Sequence, residues 1–147
     1  MDKPTKTNCI FCQIVAGTAR SHPVWEDEHS LVFMDLFPAS EGHTLLIPKP
    51  HWENLFETPA EYLEHIIRLS KPVADALRTV YEPDGLSVFQ LNGAAAGQTV
   101  FHYHMHLIPR WHGASMQIHG RREATREQLD DAAQRIGSAL PESLSQR

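Results

Sequence analysis

Through residues 100–110 apolar and polar side chains alternate. Phe101, Tyr103, Met105 and Leu107 fall on one side of an extended chain, and His102, His104 and His106 fall on the other. Successive side chains of a strand point to opposite faces, so this period of two predicts a strand over residues 100–110 with three imidazoles in a row and an apolar back that reads as core. Similar reasoning places strands at residues 24–26 and 31–36, joined by a polar turn at 27–30. A third strand falls over residues 43–48, where the apolar run is continuous. Residues 9–15 read as a short helical turn. Thr58-Pro59-Ala60-Glu61 reads as a capping box, followed by a helix with Tyr62, Ile66, Val73, Leu77 and Val80 on one side. Pro72 inside that run predicts a kink or two abutting helices, and Pro83-Asp84-Gly85 ends it. Residues 85–92 form a fourth predicted strand, residues 93–97 a loop of small residues, and 111–120 a longer loop. Residues 123–140 close the chain with an amphipathic helix carrying Leu129, Ala132, Ala133, Ile136 and Leu140. This order predicts an α+β fold: a five-stranded antiparallel sheet, helices packed on one face and an added C-terminal helix. Residues 1–8 are expected to be a flexible tail and 9–147 a single domain.

Composition narrows the picture. A chain of 147 residues with 41% hydrophobic and 21% charged residues suits one soluble domain. No apolar run approaches the ~20 residues of a membrane span, and the start of the chain lacks the apolar core of a signal peptide. The expected compartment is therefore the cytoplasm, with no membrane partner. A net charge of −5 argues against broad nucleic-acid binding but leaves room for a small anionic ligand. Cys9 and Cys12 form a C-x-x-C pair, which in a reducing compartment is metal-binding or redox-active more often than a structural disulfide.

Three imidazoles in register suit a phosphate or a metal better than a core. A neutral histidine held in one tautomer can attack phosphorus. Its second ring nitrogen must then donate to a fixed acceptor, commonly a backbone carbonyl. His104, central in the row, is the natural nucleophile, and His106 can donate to a phosphate oxygen as charge builds. Just upstream, Gly97, Gln98 and Thr99 offer backbone amides and a hydroxyl, and Asn92 adds a donor. A catalytic metal held by the three histidines is a rival reading, weakened by the lack of a downstream carboxylate. His22, His29, His65, His112 and His119 read as surface residues. Taken alone, His43 and His51 read the same way, and Asp35 reads as a cap for the turn before Pro38.

The run Gly97-Gln-Thr-Val-Phe-His-Tyr-His-Met-His106 resembles the signature of the histidine triad (HIT) superfamily. Cys9-Ile-Phe-Cys12, Phe33-Met-Asp35 and Gly42-His-Thr-Leu-Leu-Ile-Pro-Lys49 followed by His51 resemble it in the same order. The nearest likeness is to bacterial HIT-like proteins. The resemblance implies a nucleotide-binding hydrolase that cleaves at the α-phosphate of purine nucleoside phosphoramidates or related adenylyl conjugates through a covalent nucleotidyl-histidine. Water then releases an AMP-like product. It implies a catalytic set of His104, His106, His102, His43 and Thr99. It implies a nucleotide site made by Ile10, Phe11, Ile14 and Phe33 around the base, Asp35 at the ribose, and Asn92, Gly97, Gln98, Thr99, His104 and His106 toward the phosphate. It further implies a structural zinc ion on Cys9, Cys12, His51 and His102, no catalytic metal, and a homodimer. The ending Ile108-Pro109-Arg110 is more like the branch that cleaves diadenosine polyphosphates. A dinucleoside polyphosphate hydrolase or phosphorylase therefore stands as an alternative, as does a nucleotide-binding adaptor with little turnover.

Overall fold

Two strands of this chain are buried along their whole length because both of their faces are covered. In β2 (Ser30–Met34) and β3 (Thr44–Pro48) all ten positions are buried. Val32 and Leu46 point to one side of the sheet and join the main core, while Leu31, Phe33, Leu45 and Ile47 point to the other. The structure, a computed structural model, describes residues 5–145. Its sheet has the order β1-β2-β3-β5-β4, with every neighbouring pair antiparallel. β1 (Pro23–Glu26) and β4 (Gly85–Phe89) form the edges and are correspondingly half exposed. β5 (Met105–Arg110) lies between β3 and β4.

Two longer helices cover the main-core face, as the apolar stripes predict. α2 (Ala60–Tyr81) buries Ile66, Leu69, Val73, Ala76 and Leu77 against it, and α3 (Arg126–Ser138) adds Leu129, Ala132, Ala133 and Ile136. A short α4 (Glu142–Ser145) follows, with Leu144 in the same core. On the opposite face lies α1 (Ile10–Ala16), whose Phe11, Cys12 and Ile14 pack on Leu31, Phe33, Leu45 and Ile47. Among the described residues no helix is long and apolar enough to cross a membrane. Of the expected tail, residues 1–4 lie outside the described residues, and 5–8 are exposed.

Several local expectations are corrected. The last strand starts at Met105, not at residue 100, so only His106 of the three histidines is inside it. The alternation nevertheless persists through the lead-in, where the Tyr103 N–H donates to the Trp52 carbonyl at 2.7 Å. Tyr103, Met105 and Leu107 are core, whereas Phe101 is 42% exposed because it precedes the sheet. Thr58 does not cap α2. Its hydroxyl donates instead to the Asn54 carbonyl at 2.7 Å, and Pro59 takes the N-cap position. α2 runs unbroken through Pro72. The capping box that does form is Thr125 with Gln128 at the start of α3. The fourth strand ends at Phe89, short of Asn92. His22 is not a surface residue: it is buried, and its Nδ1 lies 2.6 Å from the Asp130 carboxylate, tying α3 to the entry of β1.

Candidate active site and metal cluster

The three histidines leave the sheet on its α1 face but do not serve one purpose. Close to the chain, His102 turns away from its neighbours. Its Nε2–H donates to the Pro48 carbonyl at 2.7 Å, which fixes the tautomer and leaves the Nδ1 lone pair facing two sulfurs. Those are Cys9 Sγ at 3.5 Å and Cys12 Sγ at 3.6 Å. His51 Nδ1 lies 3.4 Å from Cys12 Sγ. The four ligand atoms all fall within 4.8 Å of one another, and all four residues are buried. With Zn–S near 2.3 Å and Zn–N near 2.0–2.1 Å, tetrahedral angles put sulfur and nitrogen roughly 3.5 Å apart. The spacings therefore fit a closed two-thiolate, two-imidazole site. Burial pushes the Cys12 thiol up and holds the imidazoles of His51 and His102 down, His102 to about 4. Two neutral imidazoles and two clustered sulfurs form a donor set that a divalent cation satisfies.

His104 is oriented by the chain itself. Its Nδ1–H donates to the His102 carbonyl at 2.7 Å, so the lone pair sits on Nε2. The Phe11 ring meets it edge-on at 5.1 Å, and burial depresses its pKa. His106 is fixed by a relay. The Ala39 N–H donates to His43 Nδ1 at 2.9 Å, which puts the His43 proton on Nε2. That N–H then donates to His106 Nδ1 at 2.9 Å, which puts the His106 proton on Nε2. His106 Nε2–H is buried without a protein partner, a donor with nothing yet to bond. Phe89 stacks on the same ring at 4.6 Å and holds its plane. Burial lowers His43 to about 3 and pushes His106 down as well, so both rings stay neutral at ordinary pH.

In front of His104 and His106 opens a cavity of about 470 Å³, within the range of small-ligand sites. Ile10, Phe11, Ile14 and Phe33 make an apolar wall, with Asp35 and Thr99 beside the histidines. Asp35 Oδ1 accepts from the Phe37 N–H at 2.8 Å, and Oδ2 lies 3.5 Å from His43 Nε2. Burial raises the pKa of this carboxyl. His43 and His102 stand behind the lining residues. Two expected phosphate-side groups are engaged elsewhere. Gln98 Oε1 accepts from the Gly93 N–H at 2.7 Å, and its amide nitrogen donates to the carbonyls of Glu53 and Val100. Asn92 Oδ1 accepts from the Leu55 N–H at 2.8 Å and from Gln90. Both staple loops rather than line the cavity, and Gly97 takes a left-handed turn between them. Sequence reading missed Arg20, Ser21, Phe37, His119 and Gly120, which also line the cavity. His119, read as a surface residue, reaches the cavity because the loop after β5 folds back over it. No periodicity or spacing in the chain signals that return.

Known proteins resemble this chain in sequence and in fold. Residues 16–113 match the family model described as HIT domain. The chain is 49% identical over 104 residues to the protein named hit of Bacillus subtilis (strain 168), covering 71% of this chain and 72% of that one. A hypothetical histidine triad nucleotide-binding protein from Sulfolobus tokodaii superposes with a TM-score of 0.82 at 32% identity, over 89% and 91% of the two chains. A zinc-bound histidine triad family protein from Mycobacterium smegmatis superposes with a TM-score of 0.80 at 33% identity, over 95% and 98%.

Proposed function

The chain belongs to the HIT domain family, and on that premise we propose that it is a nucleotide-binding hydrolase whose nucleophile is His104. The observation that carries this reading is the 2.7 Å bond from His104 Nδ1 to the His102 carbonyl, which leaves the Nε2 lone pair on a ring lining the cavity. A purine base lies against Ile10, Phe11, Ile14 and Phe33, the ribose hydroxyls reach Asp35, and the α-phosphate meets His104. The similar protein from Sulfolobus tokodaii, described as nucleotide-binding, supports the ligand class.

In the first step the His104 Nε2 lone pair bonds to the α-phosphorus of a purine nucleoside phosphoramidate. The bond from phosphorus to the leaving amine breaks, and the amine departs with that electron pair and takes a proton from solvent. His104 Nδ1 keeps its proton throughout, and its bond to the His102 carbonyl stabilises the positive charge that the ring acquires. The His106 Nε2–H donates to a phosphoryl oxygen as negative charge builds there. Thr99 is placed beside the leaving group. In the second step water bonds to phosphorus and loses a proton to solvent, the P–Nε2 bond breaks with its electron pair returning to the ring, and the nucleoside monophosphate leaves. Dinucleoside polyphosphates offer the same α-phosphorus with a phosphate leaving group.

The cysteine–histidine cluster fits zinc. Cys9, Cys12, His51 and His102 would hold it, and bound there it supplies a crosslink between the N-terminal segment and the strand lead-in rather than a Lewis acid at the phosphate. The zinc-bound relative from Mycobacterium smegmatis supports this part of the reading. Two thiols kept as ligands suit a reducing compartment, so the cytoplasm belongs to the proposal. A second copy of the chain does too: β4 is an outer strand with Val88 half exposed, an edge that a second sheet can extend.

His104→Ala is expected to cut turnover of adenosine phosphoramidate by at least about 10³-fold while AMP binding and folded structure persist. Hydrolysis at the wild-type rate by that variant would overturn the proposal. Relative rates on the phosphoramidate and on a diadenosine polyphosphate rank the two leaving groups.

A further inference from the structure

His119 is the cavity residue that the reaction as described does not use. It sits six positions beyond residue 113, where the match to the family model ends, in the segment that follows β5. The loop that carries it is seated by the backbone. The Gly120 N–H donates to the Phe37 carbonyl at 2.9 Å, and the Ala124 N–H donates to the Leu36 carbonyl at 2.9 Å. Residue 120 must be glycine for this seat, since a Cβ there would collide with the Pro38 and Phe37 carbonyls. The seat brings the His119 ring edge-to-face against His106, centroids 5.8 Å apart. The consequence is a pair of orphans: His106 Nε2 and His119 Nε2 are both buried without a protein partner. The two nitrogens belong to adjoining rings, and with a proton on each, one acceptor with several lone pairs satisfies both. The His104 and His106 ring centroids are 4.8 Å apart, so phosphorus bonded to His104 carries its oxygens into this same space.

We infer that His119 is a substrate-contacting residue whose Nε2–H, beside that of His106, donates to an oxygen of the bound phosphoryl group. The inference rests on the nucleotide reading of the cavity. It adds a third imidazole to the phosphate end, supplied by a segment outside the histidine row.

Calorimetric titration of AMP and of adenosine into wild type, His119→Ala, His119→Gln and Gly120→Ala tests it. Loss of one hydrogen bond to a charged oxygen is expected to weaken AMP binding about tenfold in His119→Ala. Adenosine binding should stay within twofold of wild type. His119→Gln keeps a donor near the Nε2 position and should restore most of the loss. Gly120→Ala keeps the imidazole but lifts the loop, and should reproduce it. AMP binding by His119→Ala within twofold of wild type would overturn the assignment, as would an equal loss for AMP and adenosine, because a merely structural role moves both. A wild-type protein that binds neither compound overturns the nucleotide reading itself, and the assignment with it.

Discussion

His102 acts in two directions at once. Its side chain faces the sulfurs of Cys9 and Cys12, and its carbonyl fixes the tautomer of His104. Alternation along the chain could place the three imidazoles on one side but could not separate their tasks, because the separation lies in which ring nitrogen each backbone carbonyl or neighbouring ring engages. His43 shows the same limit. Alone it read as a surface residue, yet it is fully buried and passes its proton toward His106. Its burial has a thermodynamic consequence. In the unfolded chain His43 titrates at about 6.5, and in the folded protein burial lowers it to about 3. Between those values the unfolded state binds a proton that the folded state does not, so stability is complete above pH 6.5 and is lost as the pH falls toward 3. His106, depressed in the same direction, adds to the slope. Urea unfolding at a series of pH values from 7 to 4 should show falling stability. His43→Gln should flatten that fall by about 1.4 kcal/mol per pH unit, the value of one proton. An equal slope in wild type and variant would contradict the burial-driven depression of His43.

A seven-residue helix such as α1 cannot hold its own shape in water. Its packing on β2 and β3 supplies one anchor, and the cysteine–histidine cluster supplies another. Cys9 also serves as the N-cap, accepting the Cys12 N–H at 3.4 Å. The C-x-x-C spacing made the cluster legible as a metal or redox pair. Its histidine partners were legible only through family resemblance, since His51 and His102 meet the sulfurs through tertiary folding. Purified protein is expected to carry about one zinc per chain by elemental analysis. Cys9→Ser should lose it, and amide protons of residues 10–16 should then exchange faster, while His104→Ala should keep the metal. Zinc content unchanged in Cys9→Ser would contradict the assignment of the ligands. Elsewhere, helices and strands were legible wherever apolar periodicity was strong, and their ends were not. Thr58 bonds back to Asn54 instead of capping α2, and that choice depends on the loop before it.

Across the molecule the sheet divides labour between its faces. One face carries the main core under α2 and α3, and the other carries α1, the cysteine–histidine cluster and the cavity. The five-stranded sheet and the helices on its main-core face were legible; the second covered face, under α1, was not read from the apolar runs of β2 and β3. The cavity was legible on one side only. Its floor comes from the histidine row and its apolar wall from α1 and β2. The loop carrying His119 closes over them through backbone bonds to residues 36 and 37, and such contacts leave no trace in composition or spacing. The proposed reaction turns on nucleotidyl transfer to a single atom, His104 Nε2. Rapid quenching of the protein with adenosine phosphoramidate, followed by peptide mass spectrometry under conditions that preserve phosphorus–nitrogen bonds, tests it directly. The expected result is one adenylyl group on His104 that is absent from His104→Ala. Turnover with the adenylyl group on another residue, or with no adduct when the chemical step is trapped before water attack, would contradict it.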